Sequence, residues 1–505
     1  MKSFLQQQTL SLLLSLALVP ALLSACAEKP DGTAEIQSHP PVIFPDYTDV
    51  TVPVNIAPLN FRLQDPVENL HVTVRGDDGQ TLHHHGKQHV SFHPKAWKKL
   101  LKGNAGRTLT LHLSALRSQD RQHIAWPPFS IHVSHDSIDS HLVYRLIEPG
   151  YEKWHIVGIY QRNLENFDEK PVIRNELTGY NCINCHSFCN GNPQQMLLHM
   201  RATYGATYIA ANGQIEKLDT RTPHTLSHLT YPYWHPSGRY IAASVNDIKQ
   251  FFHAVKEKKM EVFDLESDVV VYDVAHHSIL SAASLLTKDC YETFPAFSPD
   301  GQWLYYCSAP ALPMPDHYDR IRYGIYRRPF DAAQGRIGTT TDTLVRADTH
   351  SASFPRISPD GRFLMYTETA YGQFPIWHKD ADIRMINLSD GSPTEVSLLN
   401  SNDTESYHSW SRNSRWTVVS SRRENGLYTL PYFAHIDSAG RASKPFLLPQ
   451  KNPDAYDFLL YSFNLPELVS GEIQLSPYEL QHAATRKTAT QVDFHVPQPS
   501  RSRLR

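Results

Sequence analysis

The 505-residue chain lacks any long apolar run after residues 10–23, so no later segment reads as a transmembrane helix. It lacks an excess of either charge. The 48 Lys and Arg against 51 Asp and Glu leave a formal net charge of −3, and nothing in that balance predicts nucleic-acid binding. Absent too are a Gly-x-Ser-x-Gly nucleophile elbow, a phosphate-binding glycine loop and a His-Glu-x-x-His helix. No catalytic set stands out, so an electron-transfer or binding protein is expected rather than an enzyme. Cysteine is scarce, at 6 residues, which makes the crowding of Cys182, Cys185 and Cys189 informative. Glycine is moderate at 23 against 35 prolines, a balance that fits a loop-rich β protein.

What is present begins with an export signal. Lys2 supplies a minimal positive region, residues 10–23 a short apolar one interrupted by Pro20, and Leu23-Ser24-Ala25-Cys26 ends it. That string resembles the lipobox of bacterial lipoproteins. The resemblance implies cleavage before Cys26, lipid on that cysteine and a membrane-tethered chain in the cell envelope. Ala27, in place of an aspartate, points to the outer membrane. The plainer alternative is a secretory signal cut after Ala25. The chain then divides into a signal peptide (1–25), a polar, proline-bearing tether (26–45), a folded unit (46–140), a connecting segment (141–200), a repeat region (201–480) and a mobile basic tail (481–505).

In the unit 46–140, Leu70, Val72 and Val74 alternate with polar residues, as do Leu109, Leu111 and Leu113, then Phe129, Ile131 and Val133. Period-2 alternation broken by tight turns predicts a small β-sandwich-like domain. Pro94 followed by Gly103 marks one short helix. The run His83-His84-His85, with His89 and His93, is rich in imidazole. On a strand His83 and His85 face one side and His84 the other. With no Cys, Asp or Glu cluster converging in sequence, a solvated histidine-rich strand is expected there.

Cys182-Ile183-Asn184-Cys185-His186 has the spacing of covalent haem attachment. Two thiols three positions apart form thioethers to one porphyrin, and the next histidine becomes the iron ligand. One haem c is therefore expected, held by Cys182 and Cys185, with His186 on iron and Met200, Met196 or His199, in that order, opposite it. Two alternatives stand beside it. One is a disulfide among Cys182, Cys185 and Cys189. The other is a metal site built from the three cysteines and His186. Cys290 and Cys307 flank a predicted hairpin and are candidates for a disulfide in an oxidising compartment.

From about residue 231 a motif recurs: Tyr231-Pro232-Tyr233-Trp234-His235-Pro236-Ser237-Gly238, Phe294-Pro295-Ala296-Phe297-Ser298-Pro299-Asp300-Gly301, Phe354-Pro355-Arg356-Ile357-Ser358-Pro359-Asp360-Gly361 and Tyr407-His408-Ser409-Trp410-Ser411-Arg412-Asn413-Ser414. Each couples a short strand to a turn in which proline sets φ and glycine takes the positive φ. Asp300 and Asp360 fall at equivalent turn positions, so turn formation explains them better than a catalytic carboxylate pair. These repeats resemble those of TolB-like, WD40-like propellers. The whole chain resembles bacterial lipoproteins that place a single C-x-x-C-H before such a propeller. The resemblance implies an all-β chain, the small N-terminal domain followed by a five- or six-bladed propeller. A strand over 154–161 is expected to close the ring against residues 458–463. The function implied is electron transfer or redox sensing, with a protein or glycan partner on the propeller face and the membrane held through lipid. The alternative is a non-haem binding scaffold of the cell envelope.

Overall fold

A computed structural model describes residues 34–149, 155–253 and 259–495. The signal region, Cys26 and residues 496–505 lie outside the described residues. The described chain is built of strands, with two α-helices, Pro94–Gly103 and Pro477–Arg486, and short 3-10 turns.

Six sheets carry the repeats. In chain order their inner strands are Ile183–Phe188 (blade I), Thr230–Trp234 (blade II), Cys290–Phe297 (blade III), Ser351–Ile357 (blade IV), Glu405–Trp410 (blade V) and Ser462–Val469 (blade VI). Each inner strand neighbours the next, and that of blade VI neighbours that of blade I, so the six close into a ring. This is the all-β propeller class. Blade VI joins the two ends of the repeat region. Its other strands, His141–Ile147, Val157–Asn163 and Glu169–Arg174, come from before blade I, and His141–Ile147 pairs antiparallel with Ser462–Val469. The strand expected to close the ring was 154–161; it is His141–Ile147 that pairs with Ser462–Val469, and Val157–Asn163 lies one strand further out.

The Ser-Pro-Asp-Gly turns form as the sequence dictates. Gly301 and Gly361 hold φ of 72° and 75°. The Asp300 carboxylate accepts from the Ser298 hydroxyl and the Gln302 amide, and Asp360 does the same for Ser358 and Arg362. In blade V, Asn413 replaces the aspartate and Ser414 takes the positive φ, 61°.

Before blade VI lie a seven-stranded and a three-stranded sheet plus the first helix. Leu70, Val72, Val74, Leu109, Leu111, Leu113, Phe129, Ile131 and Val133 are all buried, so the alternation read from sequence points inward as written. This unit shares one apolar cluster with Trp416, Tyr432, Phe433 and Phe446 of blade V. Polar contacts tie the seam: Trp416 Nε1 donates to the Asp136 carbonyl at 3.2 Å, His435 meets Asp136 at 2.8 Å and Lys444 meets Asp46 at 2.7 Å.

The region 481–495 departs from the expected mobile tail. Ser476 and Glu479 form a reciprocal capping box on Pro477–Arg486, and Leu480, Ala483 and Ala484 bury against blades VI and I. Thr490–Gln491 then adds in parallel to blade I, and Asp493–His495 to blade II. The run Arg486-Lys487 suggested solvent, but the small apolar stripe beneath it decides the outcome.

Candidate functional site

Each inner strand carries a one-residue irregularity in its pairing. In five of them the extra residue has positive φ: Cys185 (49°), Tyr231 (49°), Phe294 (48°), Phe354 (55°) and Leu465 (51°). Tyr407 holds the matching place in blade V. Bulges of this kind re-aim a side chain, and here they turn one residue per blade into the channel. Tyr231, Phe294, Phe354 and Tyr407 stack in sequence, with ring centroids 4.3, 4.6 and 4.4 Å apart. Cys185 completes the circle and is an electrostatic neighbour of both Tyr231 and Tyr407.

This placement corrects the haem reading. Cys182, Cys185 and His186 are 6, 4 and 5 % exposed, on or beside a strand clamped between its own sheet and the neighbouring blades. Cys185 is a member of the channel plug, equivalent to a tyrosine or phenylalanine elsewhere in the ring. Met196 and Met200 lie on the next strand, packed with Ile183, Phe188 and Tyr208 between blades. No face is left on which both sulfurs could reach one porphyrin. Among the described residues no three His, Cys, Asp or Glu are grouped to hold a metal ion, and Cys182, Cys185 and Cys189 are free thiols, so the metal and disulfide alternatives fall as well. The C-x-x-C-H spacing arises because a strand, a bulge and a turn happen to carry those residue types. Cys290 and Cys307 are also free. Cys290 stands opposite Pro310 and Cys307 opposite Thr293, three places apart on the ladder, or about 10 Å, beyond the reach of a disulfide.

On the turn side of the plug the inner strands enclose a chamber of about 370 Å³. The residue after each bulge is proline in four blades and histidine in two, His186 and His408. Burial, with Arg145 second, pushes His186 down to about 3, opposed by the carbonyls of Leu465 and Val143. Burial likewise takes His408 down to about 4. Both rings are neutral at neutral pH, and neither hydrogen-bonds a serine hydroxyl among the described residues. One residue further on, the large side chains facing the chamber are Tyr233, Arg356 and Glu467. The Arg356 guanidinium sits 5.1 Å from the centre of the Tyr233 ring and donates to the Pro355 carbonyl at 2.9 Å. No carboxylate among the described residues lies within ion-pair distance of it.

Glu467 accepts from the Phe188 amide at 2.9 Å. Burial nevertheless outweighs that bond and the pull of Arg356, and raises its pKa to about 8. The folded chain therefore binds a proton that the unfolded chain releases near pH 4.5. The associated stability is full below that point and is lost as pH rises to about 8. Glu467→Gln is expected to flatten this slope in urea midpoints measured from pH 5 to pH 8. An unchanged slope would reject the assignment.

Sequence reasoning flagged Cys185 and His186 but missed Arg356, His408 and Glu467. The aligned repeats held a signal for two of them: His408 stands where the other three repeats have proline, and Arg356 where they have Tyr233, Ala296 and Ser409; Glu467 lies outside those repeats.

No family model matches the chain, and no curated protein does. Solved structures with partial likeness include a puromycin-hydrolysing peptidase of Mycobacterium tuberculosis (14 % identity, 59 % of this chain and 38 % of that one, TM-score 0.29). Others are prolyl oligopeptidase B from Galerina marginata (10 %, 66 % and 42 %, 0.35) and a putative dipeptidyl aminopeptidase IV from Bacteroides ovatus (10 %, 63 % and 59 %, 0.28). This chain spans about 40 to 60 % of those proteins' lengths. They are named as peptidases. The expected membership of a TolB-like, C-x-x-C-H lipoprotein group is withdrawn with the haem, since Cys182, Cys185 and His186 are buried and no family model matches. At these scores the likeness carries no activity across.

Proposed function

We propose that this chain is a binding protein, a small β-sandwich-like domain docked on a six-bladed propeller, whose central chamber takes a small organic anion with an apolar or aromatic body. The observation that carries the reading is the charge balance of the chamber. Arg356 faces it with no carboxylate among the described residues in ion-pair distance, while Glu467, which lines the same chamber, is held protonated at neutral pH by burial that raises its pKa to about 8. Aromatic walls from Phe188, Tyr233, Trp234 and Trp410 supply apolar contact, and a neutral carboxyl donates a hydrogen bond to an anion. The N-terminal signal and Cys26 support a cell-envelope location with a lipid anchor in the outer membrane, and the turn face is where a protein or glycan partner would meet the propeller.

Phenylacetate and hippurate serve as probes, each titrated against the full chain by calorimetry. Saturable binding is expected, weakened about 10- to 100-fold by Arg356→Gln, since a charge-assisted hydrogen bond contributes roughly 1.5–3 kcal/mol. Affinity is expected to drop as pH rises past 8 and Glu467 ionises. No binding by either probe, or binding indifferent to Arg356, overturns the reading. Release of product from a peptide substrate would replace it with hydrolysis.

A further inference from the structure

The outward face of the seven-stranded sheet holds a second arrangement, independent of the chamber. On the two central strands, Val67–Gly76 and Thr108–Arg117, the inward positions Leu70, Val72, Val74, Leu109, Leu111 and Leu113 are buried, so the residues between them face solvent. The register sets His85, His71, Ser114 and Ala125 in one row across four strands. The next row is His83, Thr73 and His112, and His123 stands two places from Ala125 on the same face. Histidines thus gather on a surface of Thr and Ser, with no carboxylate or lysine in either row.

His71 and His85 are directly opposed. Their Nδ1 atoms are 2.7 Å apart, with the rings nearly perpendicular at 85°. His85 is exposed and His71 half-buried. Two nitrogens bound to one metal ion at about 2.0–2.1 Å, with an angle of about 90–109°, stand about 2.9–3.4 Å apart. The pair therefore needs to part by only a few tenths of an ångström to admit an ion.

We propose that His71 and His85 form a two-imidazole site for a borderline divalent metal ion, with Cu2+ preferred and water filling the remaining positions. Imidazole suits copper, nickel and zinc, and affinity at such a site peaks at Cu2+. In the free pair one Nδ1 carries the proton shared with the other. On binding, that ring takes its proton to Nε2 through solvent, both Nδ1 lone pairs turn to the metal, and no net proton is released.

The experiment is a Cu2+ titration of the untagged full chain, with electron paramagnetic resonance on the first equivalent. The expected result is a site showing two coordinated imidazole nitrogens, weakened at least about tenfold by His71→Ala or His85→Ala. His112→Ala, one row away, leaves it unchanged. Binding should also weaken in acid, where protons compete with the metal ion for imidazole nitrogen. All variants change half-buried or exposed side chains, and their thermal transitions verify folding. A first equivalent of copper bound equally by wild type and His85→Ala, or one with no coordinated nitrogen, overturns the proposal.

Discussion

A chain ended at Tyr461 is expected not to fold cooperatively. It would lack Ser462–Val469, the inner strand of blade VI and the piece that joins the last repeat to the first. Phe463, Leu468 and Val469 on that strand are at most 3 % exposed. Burying three such side chains contributes about 5–9 kcal/mol, against a total stability of about 5–15 kcal/mol for a typical domain. The loss is larger than this sum. His141–Ile147 would become an edge with unpaired amides facing the channel, and the helix Pro477–Arg486 that covers blades VI and I would go with it. The check is a comparison of soluble yield and thermal unfolding for the full and shortened chains. A soluble truncated protein with one sharp transition near the full-length midpoint would falsify the clasp.

The second large effect belongs to the channel plug. Phe354→Ala is expected to cost about 3–5 kcal/mol, the usual range for emptying a buried phenylalanine site. Phe354 is 1 % exposed and touches Phe294 on one side and Tyr407 on the other. Removing it breaks two ring contacts, each of which contributes about 0.5–1.5 kcal/mol beyond buried area. The walls cannot relax into the gap, because each inner strand is held in its own blade by hydrogen bonds. Urea denaturation gives the number. A loss under about 1 kcal/mol would mean that the aromatic circle is decorative and that the blades hold the ring without it.

Much of the fold was legible in the sequence because its signals are local. The Ser-Pro-Asp-Gly turns, the alternation in residues 46–140 and the helix opened by Pro94 are each set by neighbours a few residues apart. Ring closure was read one strand out of place: 154–161 was matched to 458–463, whereas His141–Ile147 makes that pairing. The site was less legible. Cys182, Cys185 and His186 drew attention by spacing, yet their chemistry is decided by burial, a long-range property that spacing does not encode. Only the folded ring aligns Cys185 with Tyr231, Phe294 and Phe354, through the bulge they share, and so gives it a packing role. Arg356 and Glu467 are far apart in the chain and line one chamber only because the ring closes. The tail was misread because basic residues mark a surface without saying whether the chain beneath them is held.

The last described residues have a consequence for association between molecules. Thr490–Gln491 and Asp493–His495 lie along the outermost strands of blades I and II, whose free amides and carbonyls would otherwise stand ready to template another chain. Blade IV ends in Asp382–Asn387, whose edge is met by the chain that follows it: the Asn387 amide donates to the Ser392 carbonyl at 2.8 Å, the Thr394 amide to the Met385 carbonyl at 2.9 Å, and the Asn400 side chain bonds both backbone groups of Ile383. The molecule thus guards its rim in two ways, with backbone from the far end of the chain at blades I and II and with the turn that follows the last strand at blade IV. Crowded proteins of this architecture can sit side by side without zipping together.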